Sequence, residues 1–248
     1  MLELTNITKA FGGVRAVDDV SFSIDEGSLT AIIGPNGAGK TTLFNLIAAA
    51  MPADGGHISF MGKRLPPLPH KAAKRGIART FQNVRLFHEM TLLENVLCAW
   101  NEGSFVGCSI WPGGYREDER LRMKRASYIL EDMGLGDDMN TRAGDLPFGR
   151  QRLAEIARAL ALRPKLLLLD EPAAGLNRTE SVQLAKLIRH IVSGGITVLL
   201  VEHDMQLVMK LAERVIVLDS GALIADGMPS EVSNNPRVIE AYLGASEC

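Results

Sequence analysis

Three short stretches of the chain are mainly apolar: Leu29-Thr30-Ala31-Ile32-Ile33, the unbroken leucine run Leu166 to Leu169 that ends at Asp170, and Thr197-Val198-Leu199-Leu200-Val201. Runs of this length, with no polar face, are expected of strands covered on both sides in a parallel sheet. The last two are separated by an amphipathic pattern over Thr179–Val192 and the break Gly194-Gly195. A helix from Met205 to Glu213 and strands at Val215–Leu218 and Ala222–Ala225 follow, the last two joined by the turn Asp219-Ser220-Gly221. Strand–helix alternation predicts a parallel α/β sheet, with ligands at the carboxyl ends of its strands.

The first third alternates instead. Leu2-Glu3-Leu4-Thr5-Asn6-Ile7 has an edge-strand pattern, Val20, Phe22 and Ile24 share one face of a strand over Val17–Ile24, and His57–Phe60 is another short strand. This part is expected to be antiparallel β around one strand–loop–helix unit. From Phe81 to about Arg163 the period becomes helical: Leu92, Leu93, Val96 and Leu97 fit one face, and a second helix is expected over Arg116–Met133. Between them Asn101–Tyr115, rich in glycine, reads as an irregular loop whose Phe105 and Trp111, with the preceding Trp100, pack back on the helices. The charges from Arg116 to Arg125 read as a solvated helix face. The expected organisation is a core built from 1–82 and 155–248, interrupted by a helical subdomain over 83–154.

Composition narrows the function classes. With 248 residues, 46% hydrophobic and 23% charged, the chain can bury a substantial core. A formal net charge of −2 gives no global reason to expect nucleic acid as a partner. Cys98, Cys108 and Cys248 are scattered, which suggests a reducing compartment and plain thiols. The opening Met1–Thr5 has neither a basic nor an apolar segment, so no signal peptide is expected. No apolar run approaches the ~20 residues needed to span a bilayer, so membrane association is expected only through a partner and without lipid insertion.

Candidate chemistry centres on Gly34-Pro35-Asn36-Gly37-Ala38-Gly39-Lys40-Thr41-Thr42. It lies between the strand ending at Ile33 and a helical pattern through Leu43, Phe44, Leu46 and Ile47, which is the context that a G-x-x-x-x-G-K-[ST] phosphate loop requires. Glycines let successive N–H groups close around phosphate oxygens at a helix N-terminus. Lys40 is expected to reach the β- and γ-phosphates, and the Thr41 hydroxyl to ligate Mg²⁺. Asp170, at the end of the leucine run, is placed to organise the metal through a water, and Glu171, pointing another way, to face the attacking water. His203 ends the Thr197–Val201 strand region at the same sheet edge, whereas Gln82 alone is compatible with any surface amide. His57, His70, His88 and His190 read as ordinary.

Over nearly its whole length the chain resembles an ABC-transporter ATPase subunit. The matching residues are Phe11, Gly34–Thr42 as Walker A, Gln82 as the Q-loop glutamine, Leu146-Pro147-Phe148-Gly149-Arg150-Gln151 as the signature, Leu166–Asp170 as Walker B with Glu171, Ala174-Gly175-Leu176-Asn177 as the D-loop, and His203. The resemblance implies an α/β P-loop NTPase of the ABC ATPase type: a RecA-like mixed core, an N-terminal antiparallel β part and an inserted α-helical subdomain. It implies that ATP and Mg²⁺ are bound, with Phe11 stacking on adenine, Gln82 joining Thr41 and Asp170 at the metal, Glu171 as catalytic base and His203 bonding the γ-phosphate. It also implies a second cassette whose Gly149 segment completes each site, transmembrane permease subunits on the cytoplasmic face of the inner membrane, and indirectly a substrate-binding protein. The second cassette is the same or a different chain; importers of the suggested type favour a different one.

Two departures stand out. The usual signature Leu-Ser-Gly-Gly-Gln is altered, with Pro147 in place of the serine, Phe148 of the first glycine and Arg150 of the glutamine; Arg150 is expected to add positive charge there. The D-loop aspartate is Asn177. The signature variant, Arg79-Thr80-Phe81-Gln82-Asn83-Val84-Arg85-Leu86-Phe87, Glu171–Asn177 and the ending Ile239–Gly244 look like the ATP-binding subunits of branched-chain amino acid importers. Urea and lipopolysaccharide transporters, and soluble ABC ATPases, are the alternatives.

Overall fold

The computed structural model describes residues 1–99 and 112–244. They divide into two compact units: Met1–Gln82 with Lys165–Ala174 and Ser181 onward, and Asn83–Pro164 with Gly175–Glu180. The helix that begins within the signature, Phe148–Leu160, crosses the expected boundary at 154/155 and groups whole with the second unit.

In the first unit, the three apolar runs form strands with the expected ends. β3 (Leu29–Ile33), β7 (Leu166–Asp170) and β8 (Thr197–Val201) are buried at every position. With β6 (Ile77–Arg79), β9 (Arg214–Asp219) and β10 (Ala222–Gly227) they make a six-stranded sheet of order β10-β9-β3-β8-β7-β6. All neighbours are parallel except the β9–β10 hairpin. A second, antiparallel sheet has the order β2-β1-β4-β5, from β1 (Leu2–Phe11), β2 (Val14–Ile24), β4 (Gly55–Phe60) and β5 (Lys63–Arg64). The expectation that the first strand is an edge is overturned: β1 pairs with β2 on one side and β4 on the other. Its alternation records one buried face, and that pattern does not distinguish an edge strand from an inner one.

Helix α1 (Lys40–Ile47) buries Leu43, Phe44, Leu46 and Ile47. They join one cluster with Leu4, Ile7, Val20, Phe22 and Phe60 of the antiparallel sheet and Ile32, Leu168, Leu199, Val201 and Ile216 of the parallel one. Alternate residues of the parallel strands therefore face α1, which is why no polar face is visible in their sequence. The short helix α2 (Pro69–Lys74) and strands β5 and β6 carry too few residues for their periodicity to show.

The second unit contains α3 (Leu92–Cys98), α4 (Pro112–Asp132) and α5 (Phe148–Leu160). A reciprocal capping box of Thr91 and Glu94 starts α3. α4 begins at Pro112 rather than Arg116, so the last four residues of the expected loop are helical; proline suits a first helical turn because it has no N–H to satisfy. The remainder of that expected loop, with Trp100, Phe105 and Trp111, lies outside the described residues. Arg152 and Glu155 on α5 form a buried ion pair, each side chain 1% exposed, and Glu155 also accepts the Arg85 N–H at 3.3 Å. The chain ends in the first unit with α6 (Arg178–Ser193, which begins in the second), α7 (Met205–Leu211), α8 (Pro229–Ser233) and α9 (Pro236–Gly244).

Candidate functional site

The sheet order decides what can meet. β8 lies between β3 and β7, so the loop after β3, the Asp170-Glu171 end of β7 and the Glu202-His203 end of β8 share one sheet edge.

The loop from Gly34 to Gly39 is built for close approach. A Cβ on Gly34 would stand 2.1 Å from the Leu218 carbonyl oxygen, and one on Gly39, whose φ is +94°, 2.1 Å from that of Ala16. Only glycine fits either position. Gly39 is the N-cap of α1 and offers no side-chain cap, so the first N–H groups of the helix point into the concavity of the loop. Pro35 and Ala38 close the turn through an Ala38 N–H bond to the Pro35 carbonyl, while Asn36 and Gly37 are exposed at its tip. Lys40 is buried beneath, its Nζ donating to the carbonyls of Gly34 (2.7 Å) and Pro35 (2.9 Å). Burial pulls the ammonium below the ordinary lysine range, and the Glu171 carboxylate partly offsets this. Thr41 is exposed and Thr42 half-buried on the first turn.

Across the edge, Glu171 is held from two sides. Its Oε2 accepts from Gln82 Nε2 at 3.0 Å, and its Oε1 lies 2.6 Å from His203 Nε2. Its backbone has φ +47°, a left-handed conformation that costs a side-chain-bearing residue free energy, and the Glu171 N–H to Val201 carbonyl bond (2.9 Å) fixes it there. Three residues that are far apart in the chain, one of them an unremarkable amide in sequence, thus form one hydrogen-bonded cluster. Asp170 is buried next to it, and its Oδ2 accepts from Arg79 Nη2 at 3.0 Å.

Phe11, at the end of β1, is 50% exposed, with the Lys9 ammonium 5.6 Å from its ring centroid. Gly149 belongs to the second unit, in the first turn of α5. Pro147 is the N-cap there and supplies no side-chain cap, while its carbonyl accepts from the N–H groups of Arg150 (2.9 Å) and Gln151 (3.1 Å). Arg150 does not add charge at that terminus in this structure: its guanidinium is paired with Asp138 and donates to the Gly134 carbonyl. Phe148 packs on Gly175 and on the Arg152 guanidinium, and a Cβ on Gly149 would meet Glu180 Oε1 at 2.7 Å. Asn177 caps α6: its Oδ1 accepts from the N–H groups of Thr179 and Glu180, and Glu180 returns a bond to the Asn177 N–H. Asparagine and aspartate serve equally well as N-caps, so the altered D-loop residue keeps this cap.

The donors expected at a metal fit Mg²⁺ in kind. A hydroxyl, an amide oxygen and a carboxylate are hard oxygen ligands, the kind that Mg²⁺ takes.

Three residues carry weight that the sequence alone did not signal. Arg79 touches Asp170. Glu202 is buried and accepts from the Ala173 N–H (2.8 Å) and the His203 N–H (3.2 Å); burial pushes its carboxyl up from the ordinary range, and those two bonds pull the other way. Burial also pushes the Tyr242 phenol up, against a hydrogen bond with the Gly34 backbone that ties α9 to the glycine loop. Each depends on a contact between segments distant in sequence.

Comparison with known proteins agrees with this geometry. Residues 17–174 match the ABC transporter family, and residues 222–247 a branched-chain amino acid ATP-binding cassette transporter family. The chain is 45% identical over 98% of each protein to the high-affinity branched-chain amino acid transport ATP-binding protein BraF of Pseudomonas aeruginosa. It is 41% identical, with the same coverage, to LivG of Escherichia coli, which carries the same description. A nucleotide-free ATP-binding cassette from an ABC transporter superposes with a TM-score of 0.86 at 35% identity, covering 98% of both chains. A dimeric cassette bound to ADP and Pi superposes with 0.77 at 28%, covering 92% of this chain and 99% of that one. A glycine cradle closed by a buried lysine, a carboxylate held between an amide and an imidazole, and relatives of this identity over the whole length lead to one conclusion: the chain belongs to the ABC transporter family, as one of its ATP-binding cassettes.

Proposed function

We propose that this chain is the ATP-hydrolysing subunit of a membrane importer for branched-chain amino acids. The observation that carries the chemistry is Glu171, held by Gln82 and His203 at the sheet edge that also bears the glycine cradle. In this reading the N–H groups of Gly34–Thr42 and the Lys40 ammonium bind the phosphates, and Phe11 takes the adenine ring on its exposed face. Glu171 accepts a proton from the attacking water, and His203 turns from Glu171 to bond the γ-phosphate. Thr41, Gln82 and Asp170 would hold Mg²⁺, which supplies positive charge to the phosphate oxygens when bound.

The cassette would act in pairs. Gly149 and the uncapped start of α5 complete the ATP site of a second cassette, which is a different chain in the importers this one resembles. Closure on ATP and opening after hydrolysis would drive permease subunits at the cytoplasmic face of the inner membrane, fed by a substrate-binding protein. Among the described residues no helix is long and apolar enough to cross a membrane. The cargo rests on the likeness to BraF and LivG. The test is to purify the chain with its co-purifying membrane subunits, reconstitute them in liposomes and follow ATP hydrolysis. Stimulation by leucine, isoleucine or valine with the binding protein is expected. Stimulation by urea instead would overturn the cargo, and a complex without ATPase activity the whole reading.

A further inference from the structure

Arg79 makes more contacts than its place in a three-residue strand requires. Its Nη1 donates to Asn45 Oδ1 at 2.5 Å and its Nη2 to Asp170 Oδ2 at 3.0 Å. Its Cζ stands 5.2 Å from the Phe44 ring centroid and 5.3 Å from that of Phe81. One planar guanidinium is therefore held by two aromatic rings and bonded to two side chains on different elements. Asn45 lies one turn beyond Thr41 on α1, on the same helix face. Thr41 and Asp170 are two of the residues through which the reading above holds the metal, and they sit on separate elements, α1 and β7. Arg79 bonds β7 at Asp170 itself and α1 at Asn45, one turn from Thr41.

We propose that Arg79 is a positioning residue for that metal: it fixes Asp170 relative to the Thr41 face of α1, and through Phe81 it makes this spacing depend on the segment that leads into Gln82. The inference rests on the phosphate-site reading. Two features give it physical content. The Asp170 carboxylate is buried, so its orientation is set by its partners rather than by water, and Arg79 takes one of its oxygens. A flat, forked cation can bond Asn45 and Asp170 at once and still meet both rings; a lysine ammonium preserves the charge but not the fork. Phe81 is the residue immediately before Gln82, so a displacement of Gln82 reaches the guanidinium through that ring.

The experiment separates metal from nucleotide. Affinity of the full chain for a non-hydrolysable ATP analogue is measured with and without Mg²⁺, for the natural protein, Arg79→Lys and Phe81→Leu. The natural protein is expected to gain affinity with Mg²⁺. Arg79→Lys should lose about 10-fold or more of that gain, the scale seen when groups that orient metal ligands are replaced, with metal-free affinity unchanged. Phe81→Leu, which removes one ring and keeps the fork, should lose part of it. Retention of the full gain by both variants would overturn the proposal, as would an equal loss with and without Mg²⁺, which marks a merely structural support. If the natural protein gains nothing from Mg²⁺, the phosphate-site reading itself fails along with it. Should Arg79→Lys fail to fold, Phe81→Leu decides alone, and unaltered Mg²⁺ dependence in it refutes the link.

Discussion

Replacing Glu171 with glutamine exchanges one carboxylate oxygen for an amide nitrogen in a cluster whose geometry is known. Oε2 accepts from Gln82 Nε2 at 3.0 Å, so the amide oxygen must take that side; a nitrogen there would set two donors against each other. The amide nitrogen then faces His203 Nε2, at the 2.6 Å position, and can donate to it in the tautomer whose Nε2 accepts. Both bonds survive, slightly lengthened, and the left-handed backbone at φ +47° is equally costly for either residue. Stability and ATP affinity of Glu171→Gln should therefore match the natural protein. On the proposed reading, what disappears is the group that accepts the water's proton, a loss of about 10²–10⁴-fold in rate, or about 3–5 kcal/mol of barrier. The assay pairs ATP turnover of the reconstituted complex with nucleotide titration of the subunit. Turnover within a factor of a few of the natural complex would refute the assignment of Glu171 as base. A parallel loss of ATP affinity would refute the argument that the cluster tolerates the amide.

Four further outcomes are expected. Lys40→Ala removes a buried cation from the cradle and should weaken nucleotide binding itself; an unchanged titration would count against the phosphate role of the loop. Phe11→Ala should cost about 1–3 kcal/mol of ATP affinity, the range for a base stacked on an aromatic ring, and an effect on maximal rate alone would contradict it. Asn177→Ala should lower stability by about 0.5–2 kcal/mol while Asn177→Asp restores it; chemical denaturation of both variants checks the cap. Gly149→Asp should leave ATP binding to the isolated subunit intact and abolish hydrolysis in the complex, whereas Pro147→Ser is tolerated. Because a Cβ at Gly149 meets Glu180 at 2.7 Å, Gly149→Ala serves as the steric control.

The parts of the fold that were legible in sequence are those whose signal is local. The bounds of β3, β7 and β8 agree with the sequence because each is a short, mainly apolar run that stops at a glycine or a carboxylate. The glycine loop was legible because its spacing, lysine and flanking elements all lie within a short window. β1 was misread as an edge because alternation reports one buried face and says nothing of how many neighbours a strand has. The beginning of α4 was misplaced because Gly113 and Gly114 signal a break, yet the helix runs through them. Arg79, Glu202 and Tyr242 carry no local pattern: their partners are Asp170, Ala173 and Gly34, reached only once the sheet and α9 are in place. Asn177 shows the reverse case, in which a departure from the family motif turns out to occupy a helix cap where its chemistry is equivalent.

The two bonds to Glu202 bear on the timing of turnover. Glu202 straps Ala173 to the end of β8, while the Glu171 N–H is bonded to Val201, so residues 171–173 and 201–203 are joined at successive points along the backbone. A strand end held in this way has few slow collective motions left to it. The His203 side chain, by contrast, is 47% exposed and keeps its own torsions. Exchange of His203 between Glu171 and another acceptor is then a rotamer change, which for exposed side chains takes picoseconds to nanoseconds. On that clock the exchange of the histidine is too fast to limit turnover.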